Sequence, residues 1–382
     1  MTNRRGKALS MLRPAAELHG DVVTAYVDVS RTTENGAQEV ETRIANLVRD
    51  AGASGADEAT VREVAERLAR PTGHGGEASR VVVARDGTVA TDLVLGGGAE
   101  DHHHVGPIAH LLPLGRALAD VVSYVLVRVD HSGADIAVSD TLGLDEREMV
   151  SEGDHDVLHK VPGGGWSHRR FQTRAEDSWD RNADTVAGDL DTLVREVDPD
   201  LVLLTGDLRG VARVRESVAG HVTERLEVLE HGSRAEGASD ERLDEEVAAA
   251  VRRCRARRID DVLDRLGPAD APRAVGVAET LEALRRGEVE TLVLLAGALA
   301  GREAYAGPEP LLLATDPGDL RALGVDEPGR VVLEEAMFRA ALGQDADLLP
   351  LHAPVGALPD GVGAVLRFST RPDPTDNEGE DQ

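Results

Sequence analysis

The stretch His159 to Gln172, HKVPGGGWSHRRFQ, gathers cationic groups, glycines and a tryptophan that together could meet a nucleic acid. Gly163, Gly164 and Gly165 give a backbone of high freedom that a ligand can approach closely. Lys160, His168, Arg169 and Arg170 flank them, with Arg174 and Arg181 beyond. Trp166, one of only 2 tryptophans, stands beside Ser167. An exposed indole stacks on a base, and a guanidinium takes a phosphate through paired hydrogen bonds. That composition suits insertion into a narrow cleft lined by RNA. The competing reading is a surface loop whose Trp166 packs down on its own domain, and residue chemistry alone divides evenly between the two.

Other chemistry is thinner. His102, His103 and His104, with His110 close by, invite a metal reading. Adjacent side chains in an extended loop diverge, however, and no carboxylate stands at zincin spacing, so a solvated loop over residues 96–104 is expected and no metal. Cys254 lies in RRCRARR, where arginines would favour a thiolate, but no partner histidine is identifiable and a structural or incidental cysteine is expected. Thr205-Gly206-Asp207 ends a strand and enters a helix. Such a turn can bind anions, and its plainer reading is a tight turn with Asp207 capping the helix. There is no nucleophile elbow, no phosphate-binding P-loop and no dinucleotide fingerprint. No cofactor is expected.

The whole chain sets this cationic loop in relief. Its 382 residues carry 70 Asp and Glu against 42 Lys and Arg, a formal net charge of −28. That balance excludes generic coating of DNA or RNA and adhesion to an anionic membrane, so any contact with nucleic acid must be local. One cysteine excludes an internal disulfide. With no bilayer-length apolar run and no apolar core in MTNRRGKALSMLRPAAEL, a cytoplasmic protein is expected.

Periodicity supplies the elements that must position the loop. A β-run at Val22–Val29 precedes a polar helix over about 34–50, with Ala37, Val40, Ile44, Leu47 and Val48 on one face, then a helix over 58–69. RVVVARDGTVATDLVL reads as a hairpin turning at Asp86-Gly87, and VVSYVLVRVDHSGADIAVSD as a second. A helix from Arg170 to Val197 follows the glycine loop, then a strand at Val202–Leu204, a helix and a strand at Leu226–Leu229. Later come a charged helix over 240–266, a helix ending at Gly287, a strand, LLLATD as a further strand or the segment leading from it, a helix over 334–342, a strand at 347–351 and the closing GVGAVLRF. The expected class is α/β with three domains: 1–118, a middle 119–239 built on a mixed sheet with helices, and 240–370 as an α/β/α sandwich. The acidic tail 371–382 is expected to be disordered.

GGGWSHRRFQTRAEDSWDRNADTVA resembles the middle-domain signature of the archaeo-eukaryotic release factor and Pelota family, in which a Gly-Gly-Gln loop precedes a long helix. Gly164, Gly165 and Ser167 fall on the family's glycines and following small residue, and Arg170 and Phe171 on the helix start. LVLLTGDLR, EHGSRAEG, VGVAETLEALRRGEVETLVL and GVGAVLRF resemble, in order, later family segments, so the likeness covers about 119–370. The first block shows no match to a codon-reading domain. Trp166 occupies the position of the family's catalytic glutamine. An indole has one donor and no good acceptor, and cannot orient a water as that glutamine does; Gln172 lies six residues further on and is a poor substitute.

The chain looks most like the bacterial branch of the family, with actinobacterial members carrying Gly-Gly-Gly-Trp-Ser. The branch includes Balon-type ribosome hibernation factors and proteins labelled peptidyl-tRNA hydrolases. The resemblance implies a monomeric, non-catalytic factor in the A site of the 70S ribosome. Lys160, Gly163, Gly164, Gly165, Trp166, Ser167, His168, Arg169 and Arg170 would then meet 23S rRNA at the peptidyl-transferase centre, with EF-Tu as partner. It leaves open a peptidyl-tRNA hydrolase in which His168 or Ser167 positions water, and a plain protein-interaction factor.

Overall fold

The computed structural model describes residues 8–73, 76–97, 100–130, 133–143, 147–151, 157–160, 179–232, 240–268, 270–356 and 358–368. Along them run α1 (Arg13–Ala16), β1 (Val22–Asp28), α2 (Gly36–Ala53), α3 (Glu58–Leu68), β2 (Ala78–Arg85), β3 (Thr88–Gly96), β4 (His102–Gly106) and α4 (Leu112–Ala119). Then come β5 (Ser123–Val129), β6 (Ala134–Asp140), β7 (Arg147–Ser151), β8 (Val157–Lys160), α5 (Trp179–Val197), β9 (Leu201–Gly206), α6 (Leu208–Ser217), α7 (Gly220–Thr223), β10 (Leu226–Val228) and α8 (Asp240–Leu266). The chain continues with β11 (Arg273–Val275), α9 (Val277–Arg286), β12 (Val289–Leu295), β13 (Glu303–Ala306), β14 (Leu313–Ala314), α10 (Pro317–Ala322), β15 (Gly329–Val332), α11 (Leu333–Gly343), β16 (Asp347–Leu351) and β17 (Val362–Leu366). The α/β class is as read from the sequence. Two compact units form, each from separated stretches: Val23–His103 with Val121–Arg258, and Arg5–Val22 with His104–Asp120 and Ile259–Gln382.

In the first unit a four-stranded sheet has the order β3-β2-β1-β4. Its hairpin turns where expected, with Asp86 and Gly87 at φ 50° and 71°, the left-handed pair a two-residue turn needs. α2 buries Val40, Ile44 and Leu47 from the expected stripe; Ala37 is exposed and Ala51 takes the last buried place. The Asp57 side chain accepts a hydrogen bond from the Thr60 amide and so caps α3. His102 to His104, expected in a loop, lie on β4. Pairing at a sheet edge is a long-range contact that three consecutive imidazoles do not announce.

The second sheet of this unit has the order β10-β9-β5-β6-β7-β8. β10, β9 and β5 run parallel, and the remaining neighbours antiparallel, so the expected mixed sheet is present. Period-two alternation divides β5 between two cores. Val125, Val127 and Val129 pack with Val186, Leu190 and Val194 of α5 and with Val211 and Val214 of α6. Tyr124 and Leu126 pack with Leu243, Ala250, Val251 and Cys254 of α8. Helices therefore cover both faces. Strands β7 and β8 had no counterpart in the sequence reading, because they are short and take their partners from the sheet.

The second unit holds a sheet of order β11-β17-β12-β16 and a three-stranded sheet of order β14-β13-β15. On the first sheet, Val293, Leu349, Leu351 and Val365 pack with Ile259, Val262, Leu263 and Leu266 from the end of α8. Leu292, Leu294, Leu348 and Ala364, of opposite parity, are buried too, and α9 and α11 pack on these strands. Layers thus lie on both faces, as an α/β/α sandwich requires. Gly287 ends α9 in the left-handed region at φ 71°. LLLATD yields only the two-residue strand Leu313–Ala314.

α11 lies at the centre of this unit and is buried on every side from Leu333 to Leu342. Its polar residues are consequently bonded inward. Glu335 accepts hydrogen bonds from the amides of Leu111 and Leu112 at 3.0 and 3.1 Å, capping α4, which has no capping side chain of its own. Glu334 takes the Arg116 guanidinium at 2.9 Å and the Leu299 amide at 3.2 Å. Arg339 donates to the carbonyl oxygens of Ala16, Gly307 and Pro308 at 2.7, 2.9 and 2.6 Å. Among the described residues no helix is long and apolar enough to cross a membrane.

Candidate functional site

Two described elements, β8 and α5, flank the glycine-rich stretch in the sequence. β8 ends the six-stranded sheet, pairs antiparallel with β7, and places Lys160 opposite Arg147. After residues 161–178 the chain continues as α5, whose buried face runs through Ala183, Val186, Ala187, Leu190, Leu193, Val194 and Val197. α5 is tied to β7 in turn. The buried Ser151 hydroxyl donates to Asp189 at 2.5 Å, and Arg147 pairs with Glu196 at 3.1 Å. Both ends of the segment are therefore held on one packed layer. Gly163, Gly164, Gly165, Trp166, Ser167, His168, Arg169 and Arg170 lie outside the described residues, and of Lys160 only the backbone is described. The start of the long helix before Trp179 lies outside them as well.

The Thr205-Gly206-Asp207 turn takes its plainer reading. Gly206 closes β9 at φ 128°, and a Cβ there would stand 1.9 Å from the Val129 carbonyl oxygen. Asp207 accepts from the amides of Arg209 and Gly210 at 2.8 and 3.2 Å and caps α6. Its carboxylate fills the place an anion would take. Cys254 is buried in the core formed with α8, as a structural cysteine would be.

One pairing had no signal in the sequence. Glu246 of α8 reaches back across Glu230 and His231, at the start of the EHGSRAEG stretch. Its carboxylate accepts from the amides of Glu230 and His231 at 2.9 and 3.2 Å and lies 2.6 Å from His231 Nδ1. The Thr205 hydroxyl donates to the His231 carbonyl at 2.5 Å, drawing the same segment onto β9. Glu230, His231 and Glu246 are the one group among the described residues close enough to share a metal ion. Both oxygens of Glu246 are already engaged by donors, so the arrangement acts as a clip on the backbone.

Burial raises the Glu246 pKa, but the His231 side chain, the two amides and the His231 charge outweigh it, and the net direction is down. A carboxylate lowered on folding contributes stability above its unfolded pKa and loses it as pH falls through the folded one. Glu246→Ala is therefore expected to cost about 1–2 kcal/mol at pH 7, from amides left without an acceptor. The difference from the parent should shrink as pH falls below the ordinary glutamate value of 4.5, as urea titrations at pH 7 and pH 3.5 would reveal. An equal cost at both pH values would refute the clip.

All six strands of the six-stranded sheet and the helices on it fall in a stretch, residues 123–272, that matches the model of bacterial archaeo-eukaryotic release factor family 2. This bears out the bacterial release-factor and Pelota resemblance carried by the sequence, and the matched stretch contains the loop with Trp166. Uncharacterized proteins of two Mycobacterium tuberculosis strains are 25% identical over 366 residues, 94% of this chain and 96% of each of theirs. Among solved structures the chain is similar to Archaeoglobus fulgidus Pelota, at 12% identity and a TM-score of 0.33, covering 95% of this chain and 92% of that one. It is similar to S. cerevisiae Dom34, a translation termination-like factor involved in RNA quality control and interacting with Hbs1, at 10% identity and a TM-score of 0.40, covering 77% and 81%. A model of ribosome-bound archaeal Pelota and ABCE1 is similar at 14% identity and a TM-score of 0.38, covering 97% and 96%.

Proposed function

We propose that this chain, release-factor and Pelota-like over residues 123–272, is a ribosome-binding translation factor that occupies the A site without catalysing peptide release. Residues 160–170 would face the peptidyl-transferase centre. Lys160, Arg169 and Arg170 would take ribosomal RNA phosphates, Gly163, Gly164 and Gly165 would permit close backbone approach, and Trp166 would stack or wedge beside Ser167 and His168. EF-Tu would accompany it, as in the hibernation-factor group.

The observation that carries this reading is the family match over a stretch that contains Trp166, the residue that the resemblance puts in the place of the release glutamine. An indole cannot accept a hydrogen bond from the attacking water, so binding survives the exchange and water positioning does not. The acidic body supports the same reading. At a net charge of −28 the chain has little affinity for RNA at large, and a local cationic set then decides where it docks.

Co-sedimentation with vacant 70S ribosomes tests it. The parent should pellet, and Trp166→Ala combined with Arg169→Ala and Arg170→Ala should abolish most of that pelleting. No pelleting, with or without EF-Tu, would sink the ribosomal reading. Strong cleavage of peptidyl-tRNA by the parent would sink its non-catalytic part, whereas hydrolysis appearing only in Trp166→Gln would support a release-factor scaffold with its chemistry removed.

A further inference from the structure

Between Val247 and Ile259, α8 carries no acidic residue, and five arginines stand within seven positions: Arg252, Arg253, Arg255, Arg257 and Arg258. The structure sorts them by what they touch. Arg258 turns inward, pairing with the mostly buried Asp200 at 2.5 Å and donating to the Val121 carbonyl at 2.8 Å, so it is a packing residue. The other four sit on the outer side of the helix. Arg253 and Arg257, one turn apart, share a single carboxylate, Glu227 of β10, at 2.8 and 3.1 Å. Each remains more than half exposed, at 55% and 56% of the side chain, while Glu227 is 21% exposed. Two guanidinium groups on one carboxylate leave a positive charge uncancelled. Arg252 and Arg255, also one turn apart, line the other flank. Arg252 is exposed and has no ion pair among the described residues, and Arg255 reaches the Thr141 hydroxyl at 3.5 Å.

We propose that Arg252, Arg253, Arg255 and Arg257 form a second binding surface, for the phosphate backbone of RNA, separate from residues 160–170. The argument has three parts. In a chain of net charge −28, random placement does not build an acid-free cationic helix face of this density. Every member is arginine, whose planar fork takes phosphate oxygens in pairs. The two rows repeat at i,i+3 and i,i+4, roughly 5–6 Å apart, a spacing that suits a repeating run of phosphates. The buried face of the same helix, through Leu243, Ala250, Val251 and Cys254, fixes it on the six-stranded sheet, so the backbone that carries the row is in place before binding. The choice of RNA over another polyanion rests on the ribosomal reading proposed for this chain.

Two measurements on the full chain separate the inference from that reading. The first follows binding of a fluorescein-labelled single-stranded 20-nucleotide RNA at several salt concentrations, with poly-glutamate as the competing polyanion. Arg252→Gln with Arg255→Gln should weaken binding about 10-fold and flatten the salt slope by roughly 1.4, two phosphate contacts on a single strand. Arg252→Gln alone, at an exposed position, should give about half of that slope change and guards against loss of fold in the double variant. The second repeats the 70S co-sedimentation with the same variants. RNA affinity and slope unchanged by the substitutions overturns this inference and leaves the ribosomal reading standing if the parent pellets. Patch-dependent RNA binding without ribosome pelleting supports the inference and overturns the ribosomal reading. Poly-glutamate binding as tight as RNA, and equally sensitive to the substitutions, overturns the RNA assignment in favour of an acidic protein partner.

Discussion

Arg339→Leu is expected to destabilise the second unit by about 3–5 kcal/mol, the cost of stranding buried groups that share one partner. Arg339 is 3% exposed and meets no carboxylate at bonding distance among the described residues. Its guanidinium is held by backbone alone: the carbonyls of Ala16, Gly307 and Pro308, with longer contacts to Glu309 and Leu18 at 3.4 and 3.5 Å. Burial pushes its pKa down to about 10, against a small opposing pull from Glu309, which still leaves it charged at neutral pH. The leucine removes every donor at once and leaves those carbonyls without water or protein partners. Arg339→Lys should recover only part of the loss, because an ammonium presents a point rather than a fork. Hydrogen exchange would read the effect locally, as lost protection around residues 16–18 and 307–312, where the Gly307 amide bonds to Leu312. A leucine variant within 1 kcal/mol of the parent would show that the carbonyls find water instead.

The second large effect is expected at Gly206. An added methyl group meets backbone, the Val129 carbonyl oxygen, at 1.9 Å, and the φ of 128° lies where side chains are rarely accommodated. β5 and β9 pair in parallel through Val129 and Gly206, so neither strand can retreat without breaking the ladder. Gly206→Ala should cost about 3–5 kcal/mol, strain and overpacking together. Asp207→Ala, which removes only the cap on α6, should cost about 1 kcal/mol. Urea unfolding of the pair would separate strain from capping. Equal midpoints would refute the steric account.

What was legible in the sequence was local. Asp86-Gly87 and Gly287 encode their own turns through backbone freedom, and the α8 limits at 240 and 266 follow from charge and periodicity. The β-rich run from Val122 declares a buried strand. Arrangements built from distant partners were not legible. β7, β8 and β13 to β15 are two to five residues long and owe their pairing to neighbours. The sequence shows a helix over 334–342 but not the burial of Glu334, Glu335 and Arg339 on it, because other elements cover them and supply amides, carbonyls and a guanidinium. For the site, residue types in HKVPGGGWSHRRFQ single out a stretch of which residues 161–172 lie outside the described residues. Nothing in RRCRARR told which arginine turns inward, since helix phase relative to the sheet is a tertiary fact.

The Arg339 contacts also set an order of events. The guanidinium bonds to Ala16 across 323 positions, and Glu335 caps α4 across more than 220. A chain made from its amino end has α1 and α4 out of the exit tunnel long before α11 arrives. The sheets of the first unit use no strand beyond β10 and have all their segments earlier. The second unit thus closes only after α11 has emerged, and until then its amino-terminal pieces wait with apolar faces uncovered. A message cut short before codon 339 would release a chain with a finished first unit and an exposed remainder, the kind of product that chaperones and proteases recognise.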